Sequence, residues 1–262
     1  MRLLAASRSQ TLVTALTAVV ALAGLLTTGL AADAEDSAAA LIRRVVAQTT
    51  RAGIAVRAIR RLEAGTLAGG HRGWMDVETS VSPSGAFSWN VLGEGGSERT
   101  REKVFRAVLA AEAEAWQAGA RDATAISLAN YEFTTESTPA NGAMRVRLKP
   151  RRSDPKLIEG TLTVSADGHP LLLEGRLVKS PSFWVRSVTI VKKFARIGDV
   201  SLPVAIESLA DVKMVGKSSF SMRYAYSAVN GRHVGRTAAT AAPAFGPSPQ
   251  LLALYAQLNV TQ

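Results

Sequence analysis

Apolar and polar residues alternate with a period of two along most of this chain. Helical spacing appears in two places. Asp36 or Ser37 can cap a helix over Ala38–Thr49, with Leu41, Ile42, Val45 and Val46 as its apolar stripe. Ser97 can cap a second helix of about Arg99–Gln117, where Val104, Phe105, Val108, Leu109, Ala115 and Trp116 lie opposite Glu102, Arg106, Glu112 and Glu114. Elsewhere the pattern predicts strands. Ile54–Arg60 alternates weakly. Met75 and Val77 oppose Asp76 and Glu78 within Trp74–Ser80. Phe87, Trp89 and Val91 follow the turn Ser82-Pro83-Ser84-Gly85, and Gly93–Ser97 reads as a breaker.

After Gly119 strand follows strand. Ala129, Tyr131 and Phe133 alternate, then Met144, Val146 and Leu148, then Leu162 and Val164, then Leu171, Leu173 and Leu177. Asn141-Gly142 and Asp167-Gly168 are hairpin signals between them. Runs at Trp184–Phe194, Ala205–Val215 and Phe220–Tyr226 complete about ten strands, and the domain stops near Asn230-Gly231. Consecutive strands with hairpin-length links predict an α+β, mainly β fold: a curled antiparallel sheet with the 99–117 helix as its cover. Residues 232–262 read as an Ala/Pro-rich flexible tail, in which Leu251–Leu258 is either a short helix or a frayed end.

The first 34 residues change the picture. Arg2 and Arg8 precede an apolar Thr11–Leu30, and Ala32-Asp33-Ala34 offers a small-x-small cleavage pattern, with a second choice after Ala31. That order predicts a signal peptide over 1–34 and a periplasmic product; an uncleaved anchor is the rival reading. The 35–231 domain that follows, about 200 residues, is long enough to bury a sizeable core. The net charge of +10 falls to +9 once Arg2, Arg8 and Asp33 are removed. A basic exported chain suits anionic lipid or acidic polymers better than nucleic acid. There is no cysteine, hence no disulfide, thiolate nucleophile or lipid-modified cysteine.

Candidate chemistry is sparse. His71, His169 and His233 stand apart, and no nucleophile elbow, phosphate loop or dinucleotide fingerprint occurs. The reading is a monomer that is not an enzyme and needs no cofactor. Two features remain. Arg145, Arg147 and Lys149 share one strand face beside Arg151 and Arg152, a basic patch for an anionic membrane or an envelope partner, or else a solvated face. Trp89, Phe105, Leu109, Trp184, Phe220 and Tyr224 either form plain core or line an apolar cavity for an acyl chain or lipid.

Certain segments carry a resemblance. They are Gly95-Gly96-Ser97 leading into Arg101–Glu114, Asn130-Tyr131-Glu132-Phe133, Leu148-Lys149-Pro150-Arg151-Arg152, Glu174-Gly175-Arg176-Leu177, and Lys179-Ser180-Pro181-Ser182-Phe183-Trp184-Val185. Leu202-Pro203-Val204 and Tyr224 to Gly231 complete the set. Over roughly 36–231 the chain resembles the outer-membrane lipoprotein carrier superfamily (LolA/LolB-like), in an exported bacterial branch. The resemblance implies an incomplete β-barrel with helices over its open face. It also implies binding or carriage of lipoprotein acyl chains or lipid. An envelope protein–protein or stress-sensing module with a filled core is the alternative, and a hydrolase a third. The resemblance assigns no site residue.

Overall fold

A computed structural model describes residues 37–119, 122–136, 142–235 and 246–260. The predicted signal segment and the Asn141 half of the Asn141-Gly142 turn lie outside the described residues. The chain divides after Arg43 into two units. What is described of the first is the start of a helix, α1, spanning 37–49. Everything below concerns the second.

Ten strands succeed one another: β1 Val56–Thr66, β2 Gly73–Val81, β3 Phe87–Gly96, β4 Tyr131–Thr135, β5 Met144–Pro150, β6 Ile158–Val164, β7 Pro170–Leu177, β8 Val185–Ile197, β9 Val200–Val212 and β10 Gly216–Val229. A two-residue β11, Arg232–His233, folds back on β10. All pair antiparallel in one open sheet with the order β3-β2-β1-β10-β9-β8-β7-β6-β5-β4. Among the described residues only the β1–β10 pairing joins strands distant in sequence, so links between consecutive strands account for most of the sheet.

The strand predicted to stop at Gly93 runs on to Gly96. The glycines are there for Trp74 on the neighbouring β2. A Cβ on Gly95 would lie 2.7 Å from the Trp74 indole nitrogen, so only a bare backbone fits beneath the ring.

Helix α2 then covers this end of the sheet. It consists of Glu98–Thr100, a π-helical stretch Arg101–Arg106, and Ala107–Gln117. The Ser97 side chain accepts from the Thr100 N–H at 3.4 Å, which is the predicted cap. The π stretch points Arg101 and Arg106 at one carboxylate, Glu94 of β3, at 2.9 and 2.7 Å. The Arg106 hydrogen bond holds that carboxyl below the usual range. On the other side of α2, Phe105 and Leu109 are fully buried against Leu62, Met75, Val77, Met222 and Tyr224.

Strand β1 contributes a charged group to this apolar face. Alternation sets Arg60 in line with Ala58, Leu62 and Ala64, and its side chain is 5% exposed. Two hydrogen bonds run from its guanidinium to Glu112 of α2, at 2.6 and 3.1 Å. The Tyr224 and Phe87 rings lie 4.9 and 5.4 Å from it. Burial works against the charge, but Tyr224 and Glu112 outweigh it and the guanidinium stays protonated.

The end of the chain belongs to the domain. Pro249–Val260 forms a helix, α3, with Leu251 fully buried against Val191 of β8 and Leu209 of β9. These residues lie on the sheet face opposite α2. In β9, Val200, Leu202, Val204 and Ile206 join the α2 core, whereas Leu209 points the other way. Ser248 and Gln250 anchor the helix start to Glu207 and Glu174, at 3.2 and 2.9 Å.

Glu112→Ala leaves the Arg60 charge buried without its partner; because Glu112 is itself 30% exposed, the loss should fall at the low end for a broken buried pair, about 3 kcal/mol in urea unfolding. The Arg60→Met, Glu112→Leu double variant should recover most of that loss. A double variant as unstable as the single would show that the pair matters for reasons other than charge burial.

Candidate functional site

A groove of about 700 Å³ lies on the face that carries α3. One wall is helical: Ala253, Leu254, Gln257 and Leu258. The facing wall is strand-borne, with Arg145 and Arg147 from β5, Glu159 and Thr161 from β6, and Glu174 and Arg176 from β7. Alternation delivers these side chains to one face, because β5–β6 and β6–β7 pair Arg147 with Thr161 and Thr161 with Glu174. Gly160 and Gly175 sit opposite each other on the floor. A Cβ on Gly160 would lie 2.6 Å from the Gly175 Cα, so the strands meet there as only glycines can.

Two ion pairs lie on this wall: Glu136 holds Arg145 at 3.2 Å, and Glu159 lies 3.7 Å from Arg176, while Glu174 accepts from the neutral Gln250 amide and keeps its charge. The Arg147 side chain is exposed and makes no hydrogen bond or ion pair among the described residues. The groove therefore sets a mixed helix flank, with Leu254 and Leu258 beside Gln250 and Gln257, against the Arg147 guanidinium.

The basic patch read from the sequence divides in two. Arg145, Arg147 and Lys149 do share a face, and the first two line the groove. Lys149 pairs with Glu132 at 3.6 Å. Arg151 and Arg152 have a different task. Arg151 donates to the carbonyls of Leu128 and Tyr131 at 3.0 and 3.2 Å. Arg152 donates to Asn130 at 2.6 Å and to the Ala123 carbonyl, so both pin the loop before β4.

The residues predicted to line a cavity under α2 are mostly brought together, as a packed cluster. Trp89, Phe105, Leu109, Phe220 and Tyr224 all join the α2 core, with the Phe105 and Phe220 rings 6.4 Å apart. Trp184 is elsewhere. It lies in the β7–β8 loop, 56% exposed, stacked edge-on to Phe183. Alternation alone counts it into the following strand, but β8 begins only at Val185 and bulges before Ser187.

His169 sits in the β6–β7 turn, as its place after Asp167-Gly168 implies. Its Nδ1 meets Ser201 Oγ at 2.8 Å and its Nε2 lies 3.5 Å from Asp167. This Ser-His-Asp grouping borders none of the cavities described here, and Asp167 also pairs with Arg196 at 3.3 Å. It closes a turn. Among the described residues no group of three or more His, Asp or Glu side chains could hold a metal ion. Asp76, on the polar side of β2, is held by Arg61 at 2.8 Å.

No family model and no curated protein matches the chain. Solved structures similar to it include the following two. A LolA superfamily protein from Nitrosomonas europaea is 10% identical with a TM-score of 0.38, over 76% of this chain and 94% of its own. An outer membrane lipoprotein-sorting protein domain from Vibrio parahaemolyticus is 12% identical with a TM-score of 0.39, over 77% of this chain and 92% of its own.

Tyr224 gives the α2 core a pH signature. Burial pushes its hydroxyl up to about 12. An unfolded tyrosine ionises near 10, so the neutral group's stabilisation is complete below about pH 10 and is lost as pH rises toward the folded value. Tyr224→Phe should flatten the fall in denaturant midpoint across that window. Parallel pH profiles for variant and parent would contradict the buried, neutral hydroxyl.

Proposed function

We propose that this protein is an exported binding protein, in the manner of a carrier, for an amphiphile with an acyl chain and an acidic head. The observation that carries the reading is the two-walled groove, with Leu254 and Leu258 on one side and Arg147 uncommitted on the other. Its volume, about 700 Å³, lies within the range of small-molecule sites. Each methylene moved from water to the helix flank contributes about 0.8 kcal/mol. A guanidinium offers a carboxylate or phosphate two parallel N–H donors, which orients the head and favours acidic over neutral lipids. This is ligand chemistry without a reaction.

Export rests on the 1–34 segment, and the periplasm is the compartment proposed. The lipoprotein-carrier resemblance of the sequence agrees with an acyl-chain ligand, and this reading assigns it to the α3 groove.

Titration of the full chain with a fluorescent fatty acid and with lysophosphatidylglycerol tests the proposal. Saturable binding is expected, weakened roughly tenfold by Leu254→Asp through lost apolar contact and by Arg147→Gln through a lost charge-assisted bond. If the parent binds neither probe and carries no lipid into native mass spectrometry, the ligand reading falls and the envelope interaction module replaces it.

A further inference from the structure

A second surface is unlike the rest of the molecule. Antiparallel order brings the β1–β2, β7–β8 and β9–β10 connections to the same end of the sheet. Each presents large apolar side chains to solvent: Leu67 at 40% exposure, Phe183 at 77%, Trp184 at 56%, Met214 at 94% and Val215 at 53%. The three loops are joined. The Lys213 N–H donates to the Trp184 carbonyl at 2.8 Å, and the Leu67 N–H donates to the Lys217 carbonyl at 2.9 Å. Phe183 and Trp184 stack edge-on with ring centroids 5.6 Å apart, and the Lys213 ammonium lies 3.6 Å from the Phe183 ring centre.

Met214 sharpens the point. It occupies the left-handed region with φ at 64°, at the tip of the β9–β10 hairpin. Glycine or asparagine adopts that conformation with least strain, and either is the usual choice for a tight turn. The chain instead places a long apolar side chain there, almost wholly in water. Nothing in the turn's own geometry asks for it.

The rim around these tips is basic. Residues 178–187 and 211–217 carry Lys179, Arg186, Lys213 and Lys217 against one carboxylate, Asp211. Tryptophan, phenylalanine and methionine projecting from a ring of lysine and arginine match a lipid head-group layer. The rings and thioether reach the acyl boundary, while the ammonium and guanidinium groups stay among phosphates.

We infer that the Phe183–Trp184 and Met214–Val215 loops form a membrane-docking tip that seats on an anionic phospholipid surface. Charge complementarity selects this occupant: Asp211 pairs with Arg186 at 3.9 Å, and a neutral bilayer leaves Lys179, Lys213 and Lys217 without counter-charges. The inference is independent of the α3 groove, which lies on a face of the sheet rather than at its end.

The absence of cysteine permits a site-specific test on the full chain. Met214→Cys and, as a control on edge strand β3, Leu92→Cys are each labelled with an environment-sensitive nitrobenzoxadiazole dye. Vesicles of phosphatidylglycerol and phosphatidylethanolamine should shift the 214 label to the blue and brighten it, leaving the 92 label unchanged. Phosphatidylcholine vesicles should do so at roughly tenfold higher lipid. The combined Phe183→Ser, Trp184→Ser change should abolish the shift while fatty-acid titration without vesicles is unaltered. A 214 label that stays in water while the chain sediments with vesicles overturns the inference, because another segment is then doing the binding. A blue shift that appears without lipid and grows with protein concentration also overturns it, in favour of contact between two copies.

Discussion

Strand β9 buries side chains on both of its faces, and the arrangement of the domain follows from that constraint. A half-buried strand alternates apolar and polar, and one cover suffices. In β9 the row Val200, Leu202, Val204, Ile206 needs cover on one side and Leu209 needs it on the other. The long helix α2 serves the first face over β1, β2, β3 and β10. The terminal helix α3 serves the second over β8 and β9. Because α3 is short and seats on those two strands, it stops before β5, and the gap between its flank and the charged side chains of β5–β7 is the groove. The candidate site is thus a product of incomplete coverage of the second face.

The first face is closed with a charge inside it. Arg60 lies among apolar neighbours, and its bidentate bond to Glu112 fixes the height and rotation of α2 over the sheet. An apolar residue at position 60 would pack as well or better, so the pair specifies one seating of the helix more than it adds stability. With α2 so held and its core packed by Phe105, Leu109 and Tyr224, the groove lies on the opposite face of the sheet.

Much of the fold is legible in the sequence because it is local. Hairpin residues such as Asp167-Gly168 set antiparallel neighbours, and the 97–117 pattern names both the cap and the buried stripe of α2. What escapes is tertiary. Glycines at 93 and 95 read as a break until Trp74 is known to lie over them. Leu251, Leu254 and Leu258 have helical spacing, but their length and the Ala/Pro run before them suit a frayed end equally; Val191 and Leu209 settle the matter only once β8 and β9 are paired. The face shared by Arg145 and Arg147 follows from period two alone. That α3 lies across from them does not. Trp184 was readable as a core aromatic for the same reason, since its loop and the bulge after it are products of register.

The central claim is that the groove beneath α3, and not the core beneath α2, takes an acyl chain. Photo-crosslinking of the full chain with a diazirine fatty acid, followed by mass-spectrometric mapping, tests this directly. Adducts on 250–258 and on the β5–β7 residues that face them are the predicted result. Adducts concentrated on Phe105, Leu109, Phe220 and Tyr224 would contradict the account and place the ligand under α2.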